Sequence, residues 1–464
     1  MKNAENSRQT GNRGKDRAEL EAKLDVRNRQ LSESLEVRGK QGGILERILT
    51  IGNLMKACQV VRKNKGAPGI DGMTVDEVTY HTKEYYPDLV KKIMAGTYKV
   101  QPVKRVNIPK PNGGVRHLGI PVVRDRVLQQ AIRQVIAPKI DKQFSAHSYG
   151  FRPGRSAKQA LKACAKYYEE GYHYVVDCDL KQYFDTINHD KLMHLVKGYV
   201  ADKRVLRIIN KFLQSGSIDF NQAYEISQKG TPQGGVISPL LSNISLNELD
   251  KELEKRGHQC VRYADDFVIF IKSQRAGERV LQSVTRFLER ELKLVINTQK
   301  SQVGSPTRLK FLSCLVHRVG KTYRYRPTDD AKKKFRRTLK RLLRRNRPGP
   351  FKEIVKQVNQ VCRGWINYFG TGFIKGFVQK IESWLHRRMR QLILKRWKTC
   401  KTKIERLMRL GLDEDSAKRI GFSRKKYWRL SLTYEVHRAM TKEKLYQWGL
   451  VNLGALAEQV YLTY

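Results

Sequence analysis

The segment Cys260-Val261-Arg262-Tyr263-Ala264-Asp265-Asp266-Phe267-Val268-Ile269-Phe270-Ile271 constrains this chain more than any other. Its two apolar runs predict two strands, with the acids Asp265 and Asp266 at the bend between them. Neighbouring carboxylates repel, and an apolar setting raises the cost of ionising both. Divalent cations remove that penalty, although most Asp-Asp pairs sit in exposed turns and this pair alone is weak evidence for a metal. A second acid-bearing apolar run lies upstream, Tyr174-Val175-Val176-Asp177-Cys178-Asp179-Leu180. Bringing its end beside the bend would gather three acids able to hold two Mg²⁺ ions, which stand ~4 Å apart in typical two-metal sites. Oxygen ligands suit Mg²⁺, which keeps part of its coordination for water and substrate phosphates. The residues alone do not choose between Asp177 and Asp179.

Charge names the partner class. The formal net charge is +48 at pH 7, and such an excess repels itself unless a polyanion screens it. A nucleic acid is the natural partner. No apolar run approaches the roughly 20 residues of a spanning helix, so no membrane partner is expected. The seven cysteines lie far apart without a Cys-x-x-Cys pair. That pattern suggests neither a zinc site nor a redox motif and fits a reducing compartment. The N-terminus has no apolar signal segment, and Glu5, Asp16, Glu19 and Glu21 fit poorly with an organellar leader. A cytoplasmic location is expected.

Residues 1–35 are polar and weakly patterned, and are expected to form a flexible basic arm. From Ile44 to Val61 the apolar residues have helical spacing. Asn64 to Gly72 reads as a loop from its Gly and Pro content. Strand-like and helical segments then alternate to about residue 315, which predicts a mixed α/β domain. Ala331 to Arg347 is rich in Lys and Arg and has no acid, yet Phe335, Leu339, Leu342 and Leu343 fall on one helical face. Pro348-Gly349-Pro350 breaks that helix. A second amphipathic helix follows, with Phe351, Ile354, Val355, Val358, Val361 and Cys362 on its apolar side. Together they predict a helical domain with a basic wall. A last basic segment runs from about Lys398 to the end.

Four further motifs stand in order around the acids. They are Asn64 to Gly72; Ile108-Pro109-Lys110-Pro111-Asn112-Gly113-Gly114-Val115-Arg116-His117; Ser148-Tyr149-Gly150-Phe151-Arg152-Pro153-Gly154-Arg155; and Gly230-Thr231-Pro232-Gln233-Gly234-Gly235 continuing to Asn243. Their succession resembles the reverse transcriptases encoded by group II introns, from about residue 40 to the end. The resemblance implies a right-hand polymerase, with α/β fingers and palm over 36–315. An α-helical thumb or maturase (X) domain over 316–397 and a small basic DNA-binding segment over 398–464 would follow.

The resemblance also assigns roles. It makes Asp179, Asp265 and Asp266 catalytic, places metal at Asp179, Leu180, Asp265 and Asp266, and leaves Asp177 structural. Phe184 matches the gate that crowds a ribose 2′-OH, against a plain core aromatic as the bland reading. Lys110 and Arg116 match residues holding the incoming triphosphate, against general template contact. Gln233 and Gly234 match a loop lying against the nascent base pair. Lys300, in Asn297-Thr298-Gln299-Lys300-Ser301, matches a lysine near the leaving phosphates, against an ordinary exposed lysine. Arg152, Arg155, Lys332, Lys333, Arg336, Arg337 and Arg341 are expected nucleic-acid contacts. Arg363-Gly364-Trp365-Ile366-Asn367-Tyr368-Phe369 resembles the thumb, with its aromatics read mainly as core, and Lys426 to Ser431 resembles a DNA-binding segment. Beyond Cys362 only Cys400 remains, and His437 is the sole His after His386, so a Cys- and His-rich endonuclease is not expected. Two Mg²⁺ ions are the implied cofactor. Intron RNA, an RNA template with a DNA primer, dNTP substrates and target DNA are the implied partners. The alternatives are an RNA-binding splicing maturase without polymerase chemistry, and a related enzyme recruited to a retron or CRISPR system.

Overall fold

The computed structural model describes residues 22–109, 113–218, 224–225, 229–320 and 322–463. Contacts divide the chain into two compact units, one built on residues up to 156 with 176–303 and the other on 157–175 with 304–464.

In the first unit, residues 22–40 form a helix, although 22–35 fall within the expected flexible arm. Its buried face mixes Leu35 with the polar Asn28 and Ser32, which weakens the apolar periodicity. Asn28 is buried and donates to the Lys83 carbonyl at 2.6 Å, and Lys83 pairs with Asp25 at 2.8 Å. Residues 1–21 lie outside the described residues. The apolar stripe from Ile44 is two helices, Ile44–Leu49 and Ile51–Lys63. Thr50 leaves helical geometry between them, and its hydroxyl accepts from the Asn53 N–H, which caps the second helix. That helix packs on Val123–Asp141, where Asn53 donates to the Ala131 carbonyl at 3.1 Å.

Two sheets build the rest of this unit. Strands β1 (Val103–Pro109) and β2 (Val115–Ile120) form an antiparallel hairpin with Ile108 opposite Arg116. β3 (Tyr174–Cys178) belongs to the second sheet, and β4 (Ser217–Ile218) and β5 (Tyr224–Glu225) extend the first in the order β2-β1-β4-β5. β6 (Gln259–Tyr263), β7 (Asp266–Ile271) and β8 (Gln302–Gly304) complete the second in the order β6-β7-β3-β8. Phe267 to Ile271 are all buried, as expected of a central strand covered on both faces.

The second unit takes in the helix Ala157–Glu169 and an antiparallel hairpin, β9 (Cys314–Val319) and β10 (Thr322–Pro327), followed by helices. Thr328 caps the basic helix Asp329–Leu342, and Asp329 and Asp330 occupy its first turn, where carboxylates suit the helix dipole. Phe335 and Leu339 are buried, while Lys333, Arg336, Arg337 and Arg341 are exposed. The next helix spans Phe351–Phe369 and includes the Arg363–Phe369 motif. Ile354, Val358, Cys362 and Ile366 form an unbroken stripe at four-residue spacing, and nothing in the intervening residues stops the helix. Trp365 stacks on Phe335 with centroids 4.7 Å apart and lies 4.8 Å from Phe369. These aromatics are core, as expected. One buried cluster runs from Phe335 to Val460, so the segments separated at 397/398 in the sequence share a core. Among the described residues no helix is long and apolar enough to cross a membrane.

Candidate active site

The β6–β7 turn puts a non-glycine residue, Ala264, in left-handed geometry at φ +60°. Such a conformation persists only where the surroundings over-determine it. Arg262 does this from inside the sheet. Its side chain is 1% exposed and donates to Asp250 at 2.6 Å, Asn243 at 2.9 Å, Ser148 at 2.8 Å and the Ala264 carbonyl at 2.9 Å. The buried charge is therefore paired and fully hydrogen-bonded, the condition under which such a group is tolerated. Gly150 lies beneath the same turn, where a Cβ would collide with the Ala264 main chain, and its carbonyl accepts from Asn243 at 2.9 Å. Three sequence motifs thus lock into one support for Asp265. The only sequence signal for Arg262 was a charge within an apolar strand.

Asp179 follows β3 and is clamped by the segment after Leu294. The Asn297 N–H donates to the Asp179 carbonyl at 2.8 Å, and the Asp179 N–H donates to the Ser301 hydroxyl at 3.0 Å. The Asn297 amide also donates to Asp179 Oδ2 at 2.9 Å, and Lys300 Nζ lies 3.7 Å from the same oxygen. Asn297 was quoted in its motif but given no role; its value appears only when the two segments pair.

A cavity of about 760 Å³ is lined by Arg116, Asp179, Leu180, Phe184, Gln233, Asp265, Asn297 and Lys300. Asp265 is half-buried, and burial raises its carboxyl above the ordinary value. Its own main-chain N–H and the Arg116 charge oppose the rise, whereas the Asp179 charge adds to it. Asp177 is pushed up to about 6 by burial and by Asp179, and does not line the cavity. Two hard anionic donors from separate chain segments face one space, with the Leu180 residue beside them. That donor chemistry fits a divalent cation preferring oxygen.

Other expected positions are only partly gathered. Asp266 begins β7 opposite Tyr263, one residue beyond the turn that carries Asp265, and is outside the cavity lining. Among the described residues no three His, Cys, Asp or Glu side chains are close enough to form a metal cluster. Lys110 lies outside the described residues. Phe184 lines the cavity, while its neighbour Tyr183 is buried and donates to the Ser242 carbonyl at 3.1 Å. The half-buried Phe184 ring packs edge-on against Tyr183, with centroids 5.3 Å apart. Gly234 has φ +131°, and a Cβ there would stand 2.5 Å from the Gly119 carbonyl oxygen. The close approach that demands glycine is to the β2 main chain, a tie reinforced by the Gly119 N–H donating to the Gln233 carbonyl at 3.0 Å.

Arg152 corrects its expected role as a nucleic-acid contact. Its side chain is 7% exposed, paired with Asp141 at 2.7 Å and donating to the Ser145 carbonyl at 2.6 Å. It is a fastener of the loop that carries Gly150. Arg155 is half-buried, with its guanidinium 5.3 Å from the Tyr149 ring centroid.

Comparison with known proteins names the family. A family model described as "Reverse transcriptase (RNA-dependent DNA polymerase)" matches residues 108–316, and one described as "Group II intron, maturase-specific domain" matches residues 332–411. Protein YkfC of Escherichia coli (strain K12) is 33% identical over 293 residues, covering 54% of this chain and 76% of that protein. The chain belongs to the group II intron-encoded reverse transcriptases. The group II intron-encoded protein LtrA of Lactococcus lactis subsp. cremoris is 38% identical over 196 residues, covering 42% of this chain but only 32% of LtrA. A solved partial Cas6-RT-Cas1–Cas2 complex shares 25% identity over 54% of this chain and 43% of that one, at a TM-score of 0.34. Reverse transcriptases use divalent metal ions, in keeping with the carboxylates of this cavity. The residues of the reverse transcriptase cavity all fall within 108–316, and the basic helix from Lys332 falls within 332–411.

Proposed function

We propose that this reverse transcriptase copies RNA into DNA at the Asp179–Asp265 cavity with two Mg²⁺ ions, and binds its parent intron RNA to assist splicing and retromobility. One observation carries the catalytic half: two carboxylates from separate chain segments share a cavity with Arg116, Phe184, Gln233 and Lys300. Asp179, Asp265 and the Leu180 main chain would hold the ions. Asp266 is the remaining candidate ligand and would have to turn toward the cavity to take part. When bound, Mg²⁺ supplies activation of a primer 3′-OH and offsets charge on the leaving pyrophosphate.

The chain's own residues do the rest. Asn297 fixes Asp179 through Oδ2, which frees Oδ1 for the cavity. Arg116 and Lys300, with Lys110, offset charge building on the dNTP phosphates, as fixed cations do. The Phe184 ring crowds a 2′-OH and so selects deoxynucleotides. Gln233, held on the β2 main chain, lies beside the position of the nascent pair.

The basic helix, through Lys332, Lys333, Arg336, Arg337 and Arg341, and Arg155 in the first unit contact the backbone of intron RNA or template-primer duplex. Exposed Arg424, Lys425, Lys426 and Arg429 are the support for target-DNA contact by residues 398–464. The bacterial relatives YkfC and LtrA support work in a bacterial cytoplasm as a ribonucleoprotein. Primer extension on an RNA template, beside Asp265→Ala, tests the enzyme. Full activity in the variant would remove this site from the chemistry. Splicing retained by an Asp265→Ala protein that cannot extend primers would separate the two activities.

A further inference from the structure

The basic helix ends at Leu342, and the chain turns through Arg344-Arg345-Asn346-Arg347-Pro348 before the next helix starts at Phe351. This corner is the wall of a second cavity, of about 850 Å³, entirely within the second unit. Arg341, Arg344, Arg345, Arg347 and Arg388 line it with Asn346, and no acidic residue does. The ion pairs nearby in sequence, Lys332–Asp329 and Lys356–Glu353, use none of the five.

The hollow is built rather than loose. Arg347 donates to the Leu342 carbonyl at 2.8 Å and to the Gln357 side chain, and Arg396 donates to the Gly349 carbonyl at 2.9 Å. Arg388 reaches in from the helix Lys375–Arg396. Its guanidinium donates to Gln391 at 2.8 Å and stands 5.7 Å and 5.6 Å from the Trp384 and Trp428 ring centroids. Its Nε is buried and has no partner. Five guanidiniums around one hollow repel each other unless an anion enters. Their planar forks match phosphate oxygens in pairs.

We infer that this arginine hollow seats a phosphodiester backbone that leaves the regular helix, at a bulge or loop of folded RNA. The inference rests on the maturase half of the proposed function, and it separates a shaped recognition site from the open basic face of the preceding helix. A regular duplex offers its phosphates on a convex ridge, whereas a backbone jutting from a bulge can enter a concave site. All the lining residues fall within the maturase-specific match at 332–411.

The full chain is titrated into a fluorescein-labelled RNA hairpin carrying a bulge, and into the same hairpin without it, over a range of salt. Arg344→Gln/Arg345→Gln is compared with Lys352→Gln/Lys380→Gln, which removes equal charge from exposed sites outside the hollow. The arginine variant should lose about tenfold or more in affinity for the bulged hairpin, since charge-assisted hydrogen bonds to phosphate are the strong ones. Its salt slope should flatten by about 1 to 2, the contribution of one or two phosphates. The lysine variant and the unbulged hairpin should each show a loss of about threefold or less, as for a weak screened contact. Equal losses for the two variants would reduce the hollow to net charge, and equal losses for the two hairpins would remove its shape preference. Either result, or no loss at all, overturns the inference. Arg388→Lys keeps the charge without the fork and should lose the bulge preference while the salt slope stays. Circular dichroism checks that each variant folds. Primer extension on a short RNA template, read on the same preparations, tests the polymerase reading independently of hairpin binding.

Discussion

The two cationic groups that matter most in this reverse transcriptase live under opposite rules. Arg262 in the palm is buried, paired with Asp250 and satisfied on every side, and it shapes the turn bearing Asp265. Arg344 and Arg345 at the corner of the helical unit are exposed and line a hollow without an acid. The first arrangement gives positional precision, because removing one partner strands a charge in a low-dielectric interior. The second gives capacity for a polyanion, because the charges await a partner from outside. The turn that carries Asp265 is set by charge satisfied internally, and the arginine corner leaves its charge open to solvent.

The strongest way to break that contrast is at the chemistry itself. Asp265→Ala should reduce primer extension by about a thousandfold or more, in line with loss of transition-state charge stabilisation. RNA-hairpin affinity should stay within about threefold, because removing one acid changes a screened field only slightly. Asp266→Ala tests the strand geometry. Since Asp266 lies outside the cavity lining, its loss should be clearly smaller than that of Asp265→Ala in the same assay. Equal losses would mean that Asp266 turns inward when the enzyme is loaded.

Arg262→Met tests the buried half. Leaving Asp250 unpaired should cost about 3–5 kcal/mol of stability, the usual result of breaking a buried pair. Urea unfolding measures it, and a change under about 1 kcal/mol would put the network outside the fold's support. A milder lesion is Asn297→Ala, which frees Asp179 Oδ2. It should raise the Mg²⁺ concentration needed for half-maximal extension by about tenfold, as for loss of a ligand-orienting partner. Adding Mg²⁺ should restore most of the rate, which a general folding defect would not allow.

Acid response sharpens the comparison further. Asp125 is buried, accepts from the Tyr98 hydroxyl at 2.6 Å and the Gln101 N–H at 3.0 Å, and its carboxyl is pushed up to about 6, mainly by burial. A folded value above the unfolded one means that the folded chain binds the extra proton. Its stabilising effect is complete below about 4 and is lost as pH rises through about 6. The thermal midpoint of the wild type relative to Asp125→Asn should therefore rise as pH falls from 7 to 5. A flat difference would mean that Asp125 titrates as it does in water.

Much of this was legible in the sequence because the motifs are local. The Asp-Asp bend, the basic amphipathic helix and the mixed α/β order each follow from residues close together in the chain. What was hidden depends on long-range pairing. Asn297 reaches Asp179 only because residues 295–297 lie along 179–181, and no local pattern announces that register. Arg152 was expected as a nucleic-acid contact from its motif alone, yet it pairs with Asp141, eleven residues upstream, and is buried there. Gly234 was expected in a loop against the nascent base pair, and the neighbour that excludes a side chain there is the Gly119 carbonyl. Sequence identifies which groups are special; the partner that makes them so is set by topology.

The smallest expected effect belongs to the open basic face. Lys333 is exposed on the basic helix, in a run with Arg336 and Arg337. Lys333→Gln should weaken hairpin RNA binding by about threefold or less and flatten the salt slope by about 1, since one lysine neutralises at most one phosphate. Stability should move by no more than about 0.5 kcal/mol, as for an ordinary surface substitution. The loss should also be the same for bulged and unbulged hairpins, because a convex face reads charge and not shape. A bulge-dependent loss at Lys333 would extend shaped recognition from the arginine hollow along the helix, and the division between a charged wall and a built site would have to be redrawn.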